Sequence, residues 1–170
     1  TLFDYVDITR STDVKEILIA ADGVSFVLGE ERIRLFCPEN EARVAPIEVM
    51  NFNHYEPYET RVMDLLAANA RSILDVGANI GLYAIRFAKR FSQARVYAFE
   101  PLPTSHAFLQ RNVAANAVGD RVSCFNYGLS ETSGTVDFFI SPAAGTNASL
   151  LNVANAQDAQ RVVGVTLTMD

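Results

Sequence analysis

Between residues 72 and 127 short apolar runs alternate with stretches of helical spacing, and this alternation restricts the fold more than any other feature of the chain. Ser72-Ile73-Leu74-Asp75-Val76 reads as a strand, Gly77-Ala78-Asn79-Ile80-Gly81 as a turn, and Leu82 to Phe91 as a helix. A second apolar run, Arg95 to Phe99, ends at Glu100-Pro101. Thr104 or Ser105 can cap the next helix, which runs through Phe108, Leu109, Asn112 and Val113 towards Asn116. Val122 to Tyr127 gives a third strand. Strand, helix, strand, helix, strand at this spacing requires crossover connections, so the expected class is α/β, with a parallel sheet covered by helices.

The first sixty residues read as strands. Glu16 to Ala20, then Asp22-Gly23, then Val24 to Leu28 is apolar run, two-residue hairpin turn, apolar run. Arg32-Ile33-Arg34-Leu35-Phe36 alternates with the period of a half-buried strand, which completes a small antiparallel β meander over residues 1–50. Pro38 and Pro46 bracket a polar connection, and Val62, Met63, Leu65, Leu66 and Ala70 suit one face of a helix from Glu59 to Ala70. The ligand-binding part is then residues 51–170. After Gly128, Thr135 to Ile140 and Val162 to Leu167 read as strands, and Ser141 to Ala159 as a loop over the open end of the sheet.

At 170 residues the chain makes one domain's worth of core, and only 15 Gly plus Pro exclude disordered and collagenous classes. The net charge of −6 is uneven: residues 1–60 carry 5 Lys/Arg against 12 Asp/Glu, and residues 61–170 carry 9 against 8. Strong binding to a polyanion needs a basic face, and the one cluster, Arg86, Lys89, Arg90 and Arg95, falls where cations complement the end of a helix. No nucleic-acid partner is expected. No run reaches the roughly 18 apolar residues of a membrane helix, and the start lacks a signal-peptide pattern, so no membrane partner and a cytoplasmic location are expected. Cys37 and Cys124, far apart and without His-rich company, read as packing thiols, with no metal site implied; Asn147-Ala148-Ser149, a glycosylation acceptor in spelling, reads as chance.

The turn at Gly77–Gly81 sits where open parallel sheets bind ligands, beyond the carboxyl end of the first strand. Gly77 and Gly81 allow a sharp turn and close approach of a ligand to the backbone, and the following helix start offers N–H groups to an anionic end. Asp75 discriminates. Asn79 and Leu82 stand where the dinucleotide fingerprint has its second and third glycines, and a carboxylate two residues before Gly77 would repel a pyrophosphate but favour an ammonium group. Glu100 ends the second strand with the acceptor geometry to hold two ribose hydroxyls. Amino acid plus ribose on one ligand points to S-adenosylmethionine. The candidate cofactor residues are Asp75, Gly77, Ala78, Asn79, Gly81, Glu100 and Pro101, with Asn126, Gly128 and Leu129 at the third strand's exit along the adenine.

Ile73 to Gly81, Ala98-Phe99-Glu100-Pro101-Leu102-Pro103, Leu109-Gln110-Arg111-Asn112 with Asn116, and Gly128-Leu129-Ser130-Glu131 with Gly134 are similar, in order and register, to motifs of the FkbM family of S-adenosylmethionine-dependent methyltransferases. Tyr55-Glu56-Pro57 resembles the segment leading into that family's domain. The resemblance covers about residues 55–140. It implies a Rossmann-like class I methyltransferase sheet, cofactor contacts at Asp75, Gly77, Asn79, Gly81 and Glu100, and O-methylation of a small-molecule acceptor, a sugar or natural-product hydroxyl. Val165 to Asp170 resembles the strand before the family's fourth strand and its acidic motif, which implies a sequence truncated at its carboxyl end. Two other readings stay open: an NAD-binding Rossmann oxidoreductase, against which Asn79 and Asp75 argue, and a non-catalytic association module. His54 is a candidate general base on the ground that histidine titrates near neutrality. His106 reads as a surface residue, and Tyr83, Phe87 and Phe91 as one packed helix face. No catalytic residue is assigned, and self-association stays open.

Overall fold

The computed structural model describes residues 1, 3–39, 44–140, 148–149 and 160–168. Its first element corrects the all-strand reading of the amino-terminal sixty residues: α1 (Asp4–Ser11) is a helix with Asp4 and Asp7 in the first turn and Arg10 in the last, each charge complementing the helix dipole. It buries no side chain. The meander follows as expected. Strand β1 (Val14–Ala20) turns at Ala21-Asp22 into β2 (Gly23–Leu28), with Ala20 opposite Gly23, so the turn lies one residue before the Asp22-Gly23 expected, and β2 pairs antiparallel with β3 (Ile33–Phe36). The polar connection expected between Pro38 and Pro46 is in part a second helix, α2 (Ala45–Phe52); Pro46 lies in its first turn, where a missing N–H costs nothing. Residue 50 falls inside this helix. Helix α3 (Pro57–Ala67) completes the entry to the parallel sheet.

That sheet is built as its sequence predicts. Strand β4 (Ser72–Val76), helix α4 (Leu82–Arg90), β5 (Arg95–Phe99), α5 (Pro103–Ala115) and β6 (Val122–Phe125) follow in turn, and the strands lie parallel in the order β4-β5-β6, with Asp75 opposite Ala98 and Val76 opposite Phe99. Neither Thr104 nor Ser105 caps α5. Pro103 opens that helix and Leu102 stands at the cap with no side-chain hydrogen bond. Beyond the sheet, β7 (Gly128–Leu129), β8 (Gly134–Ile140), β9 (Ala148–Ser149) and β10 (Gln160–Leu167) form a second sheet in the order β7-β10-β8-β9. The loop expected over 141–159 lies outside the described residues apart from β9. Along α4, Tyr83, Phe87 and Phe91 stack with centroids 6.1 and 6.3 Å apart, the packed face foreseen.

One apolar cluster joins the meander to the parallel sheet, running from Val14, Phe26 and Leu35 to Ile85, Val96, Leu109 and Val122. The free edge of β3 is closed by helix α5 through two amides. Asn112 Oδ1 accepts from Phe36 N at 2.7 Å while its Nδ2 donates to Phe36 O at 3.0 Å, and Asn116 does the same for Arg34 at 3.0 and 2.7 Å. Arg111 lies over the Phe36 ring, 3.5 Å from its centroid. Three cations of the basic cluster are spent internally as well: Arg86 binds Asp64 at 2.7 Å and Glu31 at 3.2 Å, Arg90 binds Glu31 at 2.9 Å, and Lys89 donates to the Glu31 and Arg32 carbonyls. Cys37 and Cys124 are free, half-buried thiols, both pushed up in pKa by burial. Among the described residues no helix is long and apolar enough to cross a membrane, and no cluster of metal-ligating side chains occurs.

Candidate functional site: a cleft at the tips of β4 and β5

The glycine turn is held by the tip of β5. Three successive N–H groups of the turn are taken there: Gly77 and Ala78 both donate to the Phe99 carbonyl, at 2.9 and 3.0 Å, and Asn79 donates to Glu100 Oε2 at 2.8 Å. Glu100 Oε1 accepts from Leu102 N at 2.9 Å, so one buried carboxylate ties the turn to the start of α5. Gly77 adopts φ +82°, Asn79 +49° and Gly81 +96°, left-handed conformations that glycine and asparagine tolerate best. A Cβ on Gly81 would stand 2.6 Å from Leu109 Cδ1, so this glycine lets α4 and α5 approach; a Cβ on Gly77 would meet nothing within 4 Å, because that residue faces the cleft.

The cleft, about 750 Å³, is lined by Asp75, Gly77, Ala78, Asn79, Glu100, Pro101, Gly128 and Leu129, eight of the ten residues expected from sequence. Gly81 and Asn126 are not among its walls. Gly81 begins α4 one layer behind, and Asn126 Nδ2 donates to the Glu100 carbonyl at 2.9 Å, bracing the strand tip from outside. Sequence reasoning did not place Glu48, Tyr55, Glu56, Tyr83, Phe138 and Thr166 here, although Tyr55-Glu56 was noted for its resemblance. These come from α2, the α2–α3 turn, α4, β8 and β10, and no local motif links them. Tyr83 donates to Glu56 Oε2 at 2.6 Å, and burial together with that carboxylate raises its pKa well above the ordinary phenol value. His106 is half-buried rather than on the surface, and burial lowers its pKa.

Asp75 carries the clearest signature of a missing partner. Burial is the largest influence on it, lifting its pKa to about 6; the Ala84 N–H of the first turn of α4 opposes this, and the Glu100 carboxylate adds to it. One N–H of the start of α4 is thus taken by Asp75 itself. Asp75 Oδ2 and Asn79 Oδ1 are buried without any hydrogen-bond partner among the described residues. Two orphaned acceptors and a buried carboxylate on one wall call for donors: an ammonium group and sugar hydroxyls. S-adenosylmethionine fits that set. Free Asp75 is mostly neutral below pH 6, whereas a bound ammonium group requires the carboxylate. Affinity for S-adenosylhomocysteine is therefore expected to rise about tenfold from roughly pH 5 to 7, with uptake of ligand releasing a proton over that window. Calorimetric titrations across this range check it, and Asp75→Asn should flatten the profile.

A parallel sheet with acids at its first two strand tips, closed over an acceptor-lined cleft, defines the S-adenosylmethionine-dependent methyltransferase class. Residues 40–154 match the model of the TRM5/TYW2 methyltransferase domain, and the chain belongs to that family. Among curated proteins, methyltransferase sdnD of Sordaria araneosa is 37% identical over 79 residues, covering 46% of this chain and 30% of that protein. The 2-O-methyltransferase NoeI of Sinorhizobium fredii is 32% identical over 85 residues, covering 50% and 34%. Among solved structures, P. horikoshii TYW2 in complex with MeSAdo is 25% identical, with 60% of this chain and 35% of that one aligned at a TM-score of 0.43. The chain spans about a third of the length of these relatives.

Proposed function

We propose that the protein methylates a hydroxyl group of a small acceptor, a sugar or natural product, in the manner the FkbM resemblance implies and in a cytoplasmic setting. The observation that carries the cofactor half is the pair of orphaned acceptors, Asp75 Oδ2 and Asn79 Oδ1, beside buried Glu100 on one cleft wall. When bound, S-adenosylmethionine supplies a methyl group activated by a sulfonium. Asp75 holds the ammonium end, Glu100 the ribose, and the backbone at Gly128 and Leu129 borders the adenine. Tyr55, Glu56 and Tyr83 form the wall on which an acceptor is aligned and from which water is kept, and alignment supplies much of the acceleration. Oxygen as the acceptor atom is supported by the similarity to a 2-O-methyltransferase. A small acceptor in preference to a nucleic acid is supported by the acidic amino-terminal part and by Arg86, Lys89 and Arg90 being engaged internally.

The NAD reading loses support in the turn. A pyrophosphate needs free N–H donors, and those of Gly77, Ala78 and Asn79 are already given to β5. Calorimetry with S-adenosylhomocysteine and NAD, followed by transfer of labelled methyl groups to methyl hexopyranosides and to a short RNA hairpin, tests the proposal. Binding of the first ligand alone with label in the hexopyranosides supports it. Binding of NAD, binding of neither, or label only in the RNA overturns it in favour of an oxidoreductase, an association module or an RNA methyltransferase.

A further inference from the structure

A second cavity, about 250 Å³, adjoins the cofactor cleft and shares Tyr55, Leu82 and Tyr83 with it. Its wall holds His54 and Asp13, with Nδ1 of the histidine 2.9 Å from the carboxylate Oδ2. With Nδ1–H donating to Asp13, the lone pair lies on Nε2, which has no hydrogen-bond partner among the described residues. Asp13 is fixed. Asp13 N donates to the Asn53 carbonyl, the Asp13 carbonyl accepts from Gly29 N, and Lys15 stands 3.7 Å from the other carboxylate oxygen. His54 and Tyr55 sit between two non-glycine residues in left-handed conformations, Asn53 at φ +71° and Glu56 at φ +43°. Such residues cost free energy and persist where the surroundings demand them, often at functional sites. Here the Glu56 side chain is held by Tyr83 and its carbonyl by Thr60 N.

We infer that this cavity receives the acceptor and that His54, oriented by Asp13 from the loop before the meander, is its general base. The space equals that of about eight waters, the scale of one sugar ring, and Thr60, Asp13 and Glu31 on its walls suit hydroxyl groups. The inference rests on the hydroxyl-methylation reading. The acceptor oxygen gives its proton to Nε2 as it takes the methyl group, the electron pair of the broken carbon–sulfur bond stays on sulfur, and the imidazolium so formed is paired with Asp13. Asp13 is a positioning residue. The ionisable groups facing the dyad are Lys15 on β1, Glu31 beyond β2, Tyr55, and Tyr83 and Arg86 on α4.

Because the chain has two histidines, imidazole nitrogen resonances assign cleanly. In the intact chain His54 is expected as the Nδ1–H tautomer, and Asp13→Asn is expected to shift it towards Nε2–H and to slow its acylation by diethyl pyrocarbonate. With methyl hexopyranosides and labelled S-adenosylmethionine, His54→Gln is expected to lower kcat by about 10²–10⁴. It should leave KM and the affinity for S-adenosylhomocysteine little changed. An Nε2–H tautomer in the unaltered chain overturns the dyad. Undiminished kcat in His54→Gln overturns the base while leaving hydroxyl methylation standing. Label in no hexopyranoside removes both the sugar reading and this acceptor cavity.

Discussion

Replacing Asn112 with alanine is expected to lower stability by about 3–5 kcal/mol, the largest effect of any single side-chain truncation outside the apolar core. Asn112 is fully buried and serves three backbone groups at once: Phe36 N, Phe36 O, and the Ile80 carbonyl at 2.8 Å. Alanine leaves the buried Ile80 carbonyl and the part-buried Phe36 N and O without these partners, each at about 1–3 kcal/mol. The geometry explains why two asparagines can do this. Positions four apart on a helix are separated by about 6 Å along its axis, and alternate residues on a strand by about 6.7 Å, so Asn112 and Asn116 meet Phe36 and Arg34 as a neighbouring strand would. Because Asn112 also grips Ile80, the same amide couples the meander to the glycine turn. Asn116, half-exposed, should cost only about 1–2 kcal/mol on truncation, since water can reach the groups it leaves. Urea unfolding midpoints of both variants check the prediction. A loss below about 1 kcal/mol for Asn112→Ala would mean that the amides are incidental to the joint between α5 and β3.

That joint also marks the limit of what could be read from sequence. The parallel unit was legible because its signals are local: Ser72–Val76 and Arg95–Phe99 are strands to the residue, whereas the hairpin forms with its turn at Ala21-Asp22, one residue before the dipeptide expected to make it. Asp75, Gly77, Asn79 and Glu100 were legible for the same reason, lying within one crossover unit. Helix α1 was not, because it is only two turns long and buries nothing, too short for a periodic pattern to stand out. Helix α2 is hidden because Pro46 reads as linker punctuation when proline is equally at home in a first turn. The amide ladder joins positions 76 and 82 apart in the chain, and Tyr55, Glu56, Phe138 and Thr166 reach the cleft from three separate elements. Periodicity carries no record of such meetings. Glu100 lies between the two cases: its place at a strand tip was foreseen, but its grip on two backbone N–H groups was not, and that grip changes what a substitution there should do.

Glu100→Gln is expected to weaken binding of S-adenosylhomocysteine at least about 100-fold, close to 2.7 kcal/mol, and to lower stability as well. In the native chain the two carboxylate oxygens accept one N–H each, from Asn79 and Leu102, in a site where burial raises the pKa and these two donors oppose it. Glutamine offers one acceptor oxygen and sets an NH₂ against the other N–H, so a buried donor faces a donor. The turn then loses an anchor on one side or α5 does on the other. A ligand bound through ribose hydroxyls meets half the acceptor capacity and none of the charge that strengthens such bonds. Glu100→Asp keeps the charge but is one methylene shorter, so it cannot span both donors; it should recover part of the affinity and little of the stability. That split separates the two roles of the side chain. Calorimetry gives the affinity and urea unfolding the stability for both variants. Retention of full affinity by a folded Glu100→Gln protein would detach the ribose from this residue and leave Glu100 as a brace for the turn alone.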